Sequence, residues 1–236
     1  MDFSRFTTIS FDCYGTLIDW ESGILPTMRT VLSRHSQTLS DSTILELYGE
    51  FEAKAESAPY RTYREVLQSV VQSFGEHLGF DPGRKDRAAL YDSVPRWTPF
   101  PDTVAALGLL KKRYRLAVIS NIDDDLFAGT RKLLGVEFDA VITAEQAKSY
   151  KPSIHNFQLA LEKLAISSTE LLHAGQSVYH DVIPAKSLGV STVWVNRKSA
   201  RPGVGAVRSA EGSPDLEVPD METLASLAAT HSSSQG

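Results

Sequence analysis

The feature that most constrains this chain is an alternation of short apolar runs with helical patterns, interrupted once, after the first run. Phe6-Thr-Thr-Ile-Ser-Phe11 is rich in β-branched and aromatic residues and soon meets Gly15, which predicts a buried strand ending in a turn. Arg115-Leu-Ala-Val-Ile-Ser120 follows a helical pattern over 104–113 and precedes another through Leu126, Leu133 and Leu134. Residues 140–143, 154–164, 171–174, 182–188 and 191–195 continue the alternation. Repeated strand-helix-strand units imply an α/β fold with a parallel sheet covered on both faces and right-handed crossovers.

The interruption has a different texture. Ile44, Leu47, Tyr48 and Phe51 share one helix face, with Thr43 and Glu46 spaced as a capping box, and Val66, Val70, Val71 and Phe74 share another. This predicts an inserted helical module over 21–96, flanked by a core made of 1–20 and 97–236. Residues 20–26 mark the exit from the sheet, and Pro95, Pro99 and Pro101, around Trp97 and Phe100, mark the return, so that two connecting strands make a hinge. The tail carries a short apolar segment at 216–218, a helical pattern over 221–227 and a Ser/Gly-rich end, 232–236, expected to fray.

Composition removes several function classes. The chain is 42% hydrophobic and 22% charged, as globular domains are, and its lone cysteine, Cys13, cannot form an internal bridge. Neither a secretory leader nor an apolar run of about 18 residues is evident, so a cytoplasmic location without membrane association is expected. A net charge of −5 gives no global cationic field for nucleic acid, yet leaves room for a small anionic substrate held by local positive groups.

Asp12 lies one residue beyond the first apolar run, with Gly15 allowing a tight turn and Thr16 supplying a hydroxyl, a setting in which a carboxylate is held as a nucleophile. An aspartate at a strand end is more often a cap than a catalyst. Three further features, in order and at strand ends, reverse that balance: Ser120-Asn121, Lys151-Pro152 and the stretch from Gly175 to Asp181. Other candidates have simpler readings. Cys13 reads as a small buried hydrophobe, since Asp19 stands where a cysteine phosphatase needs arginine. His180 reads as a pocket-wall or structural histidine, there being no Gly-x-Ser-x-Gly elbow. Asp123, Asp124 and Asp125 favour a helix N-terminus more simply than a metal, Asp19 reads as a turn or cap, Trp97 and Phe100 as hinge packing, and Gly203-Val-Gly205 as a flexible loop.

The ordered set of four motifs resembles the haloacid dehalogenase superfamily and, within it, the type II 2-haloacid dehalogenases, over residues from about Phe6 to Arg197. The resemblance implies a Rossmann-like core with an inserted helical cap domain, and a homodimer is among the arrangements it allows. Phosphatase members are similar to Asp-x-Asp, with an acidic residue after the glycine of the fourth motif to hold magnesium; here those positions are Tyr14 and Gln176. Asp12-Cys-Tyr-Gly-Thr16 instead resembles the dehalogenase motif and implies a reaction with neither metal nor other cofactor. By that resemblance Asp12 attacks C2 of a short 2-haloacid and water then hydrolyses the aspartyl ester. Lys151 would keep Asp12 ionised, Asp181 would orient Lys151 and help activate water, and Thr16 would hold the nucleophile. Ser120, Asn121 and Ser177 would contact substrate, and Tyr14 would wall the pocket. The halide-receiving arginine of an early cap helix has no match in Tyr48-Gly-Glu-Phe-Glu52, leaving Arg61, or Arg64, as the substitute, and the expected tyrosine six residues after the lysine is Phe157. Two alternatives stay open: a magnesium-dependent small-molecule phosphatase, and a non-catalytic protein that binds a small acid.

Overall fold

Every residue of β1 (Thr8–Phe11) is buried, because this strand lies inside a sheet whose other members flank it on both sides. In the computed structural model, which describes all residues except 58, 198–205, 207–209 and 231–236, β1 is joined by β2 (Arg115–Ser120), β3 (Ala140–Thr143), β4 (Leu171–Gly175), β5 (Ser191–Val195) and β6 (Leu216–Val218). The strands are parallel, in the order β3-β2-β1-β4-β5-β6. The chain winds outward to β3 and returns to β4 beside β1, so a crevice opens beyond the carboxyl ends of the central strands. The register sets Phe11 beside Val118 on one side and Ala174 on the other, placing the residues that follow β1, β2 and β4 together.

The interruption in the pattern is helical, as its spacing predicts. It comprises α1 (Trp20–Arg34), α2 (Asp41–Glu56), α3 (Tyr63–Leu78) and α4 (Arg84–Ser93). Val66, Val70, Val71 and Phe74 are all buried along α3, which begins with a capping box between Thr62 and Glu65. Two local expectations are corrected. The cap of α2 is Ser40, which accepts the Thr43 N–H at 3.2 Å, so Thr43 and Glu46 lie inside the helix; an earlier hydroxyl and Asp41 in the first turn start it sooner. Residues 20–26 are not a linker but the opening of α1, capped by Asp19 and carrying Pro26 within it.

The core helices are α5 (Thr103–Leu110), α6 (Asp124–Arg131), α7 (Ala144–Ala147), α8 (His155–Leu164), α9 (Ile183–Ser187) and α10 (Met221–Thr230). Phe157, Ala160 and Leu164 of α8 and Ala185 of α9 pack on Ala117, Ile119 and Ile142 of the sheet. The chain departs from the sequence pattern at three ends. Phe6 precedes the strand, beside a 3₁₀ turn at Phe3–Arg5; Leu133 and Leu134 lie beyond α6; and a single π turn, Val178–Val182, precedes α9. The glycines at 203 and 205 and the stretch 232–236 lie outside the described residues. No helix among the described residues is long and apolar enough to cross a membrane.

The two linkers between sheet and insertion pair with each other. Ile18 bridges Pro99 in antiparallel sense, the Asp19 N–H donates to Thr98 O at 2.9 Å and the Phe100 N–H to Leu17 O at 3.0 Å. Trp97 is buried beside them, its indole N–H donating to Ser93 Oγ at 2.9 Å and its ring meeting Tyr14 edge-on. A second tie lies at the start of α3, where Asp123 of the core accepts the N–H groups of Tyr63 at 2.8 Å and Arg64 at 2.9 Å. Asp123 thus caps a helix of the insertion rather than its own. Asp123→Ala leaves both donors without the carboxylate and should cost about 0.5–2 kcal/mol, the range for a lost N-cap. Chemical denaturation reads this as a lower midpoint; an unchanged midpoint would show that the tie contributes nothing.

Candidate active site

Four side chains converge where the central strands end. Asp12 follows β1, its N–H donating to Ala174 O at 3.0 Å. Lys151 arrives from the loop after α7, and its ammonium donates to Asp12 Oδ1 at 2.9 Å, Asp181 Oδ1 at 2.6 Å and Ile119 O at 2.9 Å. All three of its protons are thereby used. Thr16 donates to Asp12 Oδ2 at 2.8 Å while accepting the Gln176 N–H at 2.9 Å, which fixes the direction of the hydroxyl. Gly15 makes the turn with φ +92°, and Gly175 is needed for contact, since a Cβ there would overlap the Asp181 carboxyl group.

The electrostatics separate the two aspartates. Burial raises the Asp181 carboxyl, but Lys151 and His173 outweigh it and hold Asp181 well below the usual carboxylate range. Burial also raises Asp12; Lys151 opposes and Asp181 adds to the rise, leaving Asp12 above its ordinary value. Lys151 is pulled down by burial and raised further by its two carboxylates, so it stays charged. The arrangement is one ammonium between a firmly ionised acid and a more basic one.

Tyr14, Ser120, Asn121 and Ser177 all line the cavity with Asp12, Lys151 and Asp181. Tyr14 O–H pairs with Thr130 Oγ1 at 2.8 Å, leaving its ring as wall. Ser120 Oγ is buried with no hydrogen-bond partner among the described residues. Asn121 is tied to the Lys151 backbone, accepting its N–H at 2.7 Å and donating to its carbonyl at 3.1 Å, so it positions the lysine rather than touching Asp12. Ser177 caps the π turn by accepting the His180 N–H at 3.1 Å, and His180 stands in the cavity wall. Cys13 is fully buried, its thiol raised by burial and by Asp12.

Arg61 is corrected. It is not among the cavity residues: its guanidinium runs along α3, donating to Ser69 Oγ at 2.9 Å and Ala55 O at 3.5 Å. Arg64 is drawn outward too, donating to Asp125 at 2.6 Å over the Tyr91 ring. The Arg61 carbonyl and the Tyr63 and Arg64 N–H groups face Tyr150 and Asp123 of the core, and both arginine side chains leave in other directions. The three aspartates at 123–125 likewise serve separate partners, Asp124 accepting from Thr143 and Gln146. Among the described residues no group of three or more His, Cys, Asp or Glu side chains is arranged to hold a metal.

Four residues escaped the sequence reading. Ser10 and His173 sit side by side in the register of β1 and β4, with Ser10 Oγ 2.8 Å from Nδ1 and Asp181 Oδ1 3.2 Å from Nε2, so a buried polar chain supports Asp181 from below. Phe157, where a tyrosine was expected, meets the His173 ring edge-on. Glu52 and Glu56 of α2 also line the cavity. Glu52 Oε1 accepts from Tyr48 O–H at 3.0 Å and from Tyr63 O–H. Burial pushes Glu52 up to about 7, against the two hydroxyls and with the help of Asp12. Burial and the neighbouring Glu52 raise Glu56 well above its ordinary value, with Lys151 opposing.

A loop-held Asp12, a lysine clamped between two carboxylates and a helical insertion over the strand ends define a hydrolase site of a particular class. The family model for haloacid dehalogenase-like hydrolases matches residues 6–189, and the chain belongs to that family. Among curated proteins it is 26% identical over 231 residues to haloacetate dehalogenase H-2 of Moraxella sp. (strain B), covering 95% of this chain and 99% of that one. It is 26% identical over 225 residues to the (S)-2-haloacid dehalogenase of Pseudomonas sp. (strain YL), covering 93% of each. Among solved structures, the L-2-haloacid dehalogenase of Xanthobacter autotrophicus with chloropropionic acid covalently bound superimposes with a TM-score of 0.80 at 23% identity, covering 95% of this chain and 98% of that one, which shows the shared fold.

The clamp makes a stability prediction. Lys151→Met strands two buried carboxylates, for which breaking a buried pair costs about 3–5 kcal/mol. Without the ammonium both carboxyl values rise in the folded state, so the loss is greatest at neutral pH and shrinks as acid protonates them. Denaturant unfolding at neutral and mildly acidic pH checks this; a penalty independent of pH would contradict the electrostatic role.

Proposed function

We propose that this protein is a hydrolase with Asp12 as nucleophile, acting on a short 2-haloacid to give the 2-hydroxy acid through an aspartyl ester. The observation that carries the proposal is the Lys151 ammonium bonded to both Asp12 and Asp181, joined to the curated relatives' names, haloacetate and (S)-2-haloacid dehalogenase. An Asp12 oxygen attacks C2, the C–halogen bond breaks and the halide departs with the electron pair. Water then adds to the Asp12 carbonyl carbon, the acyl C–O bond breaks, the 2-hydroxy acid leaves with one of the water's protons on its hydroxyl, and the other proton is released as the carboxylate is regenerated. The more basic of the two aspartates is the better nucleophile, and the firmly ionised Asp181 holds Lys151 and the attacking water. Ser120, whose hydroxyl has no partner among the described residues and which lines the cavity, would bind the substrate carboxylate. Helices α1–α4 form the cap of the site, and the small acid enters between cap and core.

Residue chemistry fits magnesium poorly. Tyr14 and Gln176 stand where anionic ligands would be wanted and add no anionic oxygen, and the Lys151 ammonium already neutralises one oxygen each of Asp12 and Asp181. The phosphatase alternative therefore has less support than dehalogenation without metal.

Asp12→Asn should abolish halide release from 2-haloacids, measured with EDTA present, and mass spectrometry of wild-type protein quenched during turnover should show an ester on Asp12. Undiminished release by the variant, or turnover of phosphate esters that follows added magnesium, would overturn the proposal. Because burial, with Asp181 adding, outweighs Lys151 and raises Asp12, the acid limb of the rate profile should fall at a pH above the usual aspartate value: as pH drops through the Asp12 value, the protonated carboxyl no longer attacks.

A further inference from the structure

The cavity wall formed by α2 has no role in the displacement as described, and it is acidic where a halide must leave. An in-line attack sends the leaving group away from the nucleophile. Asp12 attacks from the core at the end of β1, while the insertion lines the same cavity with Trp20, Gly49, Glu52, Ala53, Glu56 and Tyr63, so a halide leaving away from the core meets that wall. Among the described residues the cavity holds four carboxyl groups and one ammonium, and that ammonium has no proton to spare. If both glutamates were ionised, a departing anion would meet only like charge. Glu52 is fixed by two tyrosine hydroxyls converging on Oε1, while Oε2 has no protein hydrogen-bond partner among the described residues and the side chain is half-buried at the cavity.

We infer that Glu52 is the halide-receiving residue, its neutral carboxyl donating an O–H···halide hydrogen bond from Oε2 in place of a cation. The inference rests on the dehalogenation proposed above and names the leaving-group site within it. As the Asp12 oxygen bonds to C2 and the C–halogen bond breaks, the halide takes the electron pair and accepts the hydrogen bond; the proton stays on Glu52. Fluoride, the most basic halide and the strongest acceptor, depends on this donor most, chloride less and bromide least. The groups facing Glu52 are Tyr48 and Glu56 on α2, Tyr63 on α3, and Asp12, with Lys151 and His180 across the cavity. Burial, which holds Glu52 near 7, keeps the donor form available in neutral solution and removes it in alkali.

Single-turnover halide release from fluoroacetate, chloroacetate and bromoacetate tests this, with wild type, Glu52→Ala and Glu52→Gln compared across pH. Wild-type release should decline as pH rises through about 7. Glu52→Ala should slow fluoride release at least about tenfold more than bromide release, the hydrogen bond being worth that factor in the barrier. Glu52→Gln, which keeps an N–H donor and the shape that Tyr48 and Tyr63 pack against, should retain bromide and chloride release and lose the alkaline decline. An Ala variant slowed equally on all three acids, or a Gln variant with the wild-type pH profile, overturns the assignment while leaving the parent reaction intact. Wild-type protein that releases no halide from any of the three overturns both.

Discussion

The site depends on one ammonium having three acceptors. Lys151 lies in a buried crevice that penalises any isolated charge, and it is tolerable there because Asp12, Asp181 and the Ile119 carbonyl take all its protons. The lysine in turn makes two neighbouring carboxylates possible. Ile119 belongs to β2, while Asp12, Lys151 and Asp181 come from the segments after β1, β3 and β4, so the cluster forms only when these strands are assembled in one sheet. Building the sheet and building the site are therefore the same event.

Around that cluster the roles are graded by environment rather than by residue type. Two aspartates contact the same nitrogen, yet Asp181 has His173 and Ser10 beneath it and Asp12 has a single threonine donor and an open side. Two glutamates on one helix differ similarly, Glu52 being held by tyrosines and Glu56 facing Asn121. Four chemically similar groups thus divide into an orienting acid, a basic carboxylate and two acids driven toward their neutral forms.

Asp12, Thr16, Lys151 and Asp181 were legible because the apolar periodicity marks the strands they come after and the ordered motifs resemble those of a known family, which is what gave Lys151 and Asp181 their roles. The parallel sheet and the helical interruption were legible from the same periodicity. Ser10 and His173 were not, since only the register of two strands distant in sequence makes them a pair. Glu52 and Glu56 share a helix with the apolar positions that suggested α2, but which flank of that helix meets the crevice is a matter of tertiary packing. Arg61 misled because a long side chain at a loop can reach in several directions, and Ser69 along α3 captured it. The start of α2 was misplaced because Thr43 and Ser40 are both competent caps, and the earlier one won.

The Arg197 side chain extends these constraints to the far end of the chain. Its guanidinium pairs with Asp102 through two bonds of 3.1 Å and donates to the Thr16 carbonyl at 2.7 Å, over the face of Phe100. Asp102 also accepts the Met221 N–H at 2.7 Å, at the first residue of α10. The nucleophile turn, the return linker and the final helix are thus fastened to one guanidinium. A helix with no described side chain in the cavity anchors, through Asp102 and Arg197, the turn that carries Thr16.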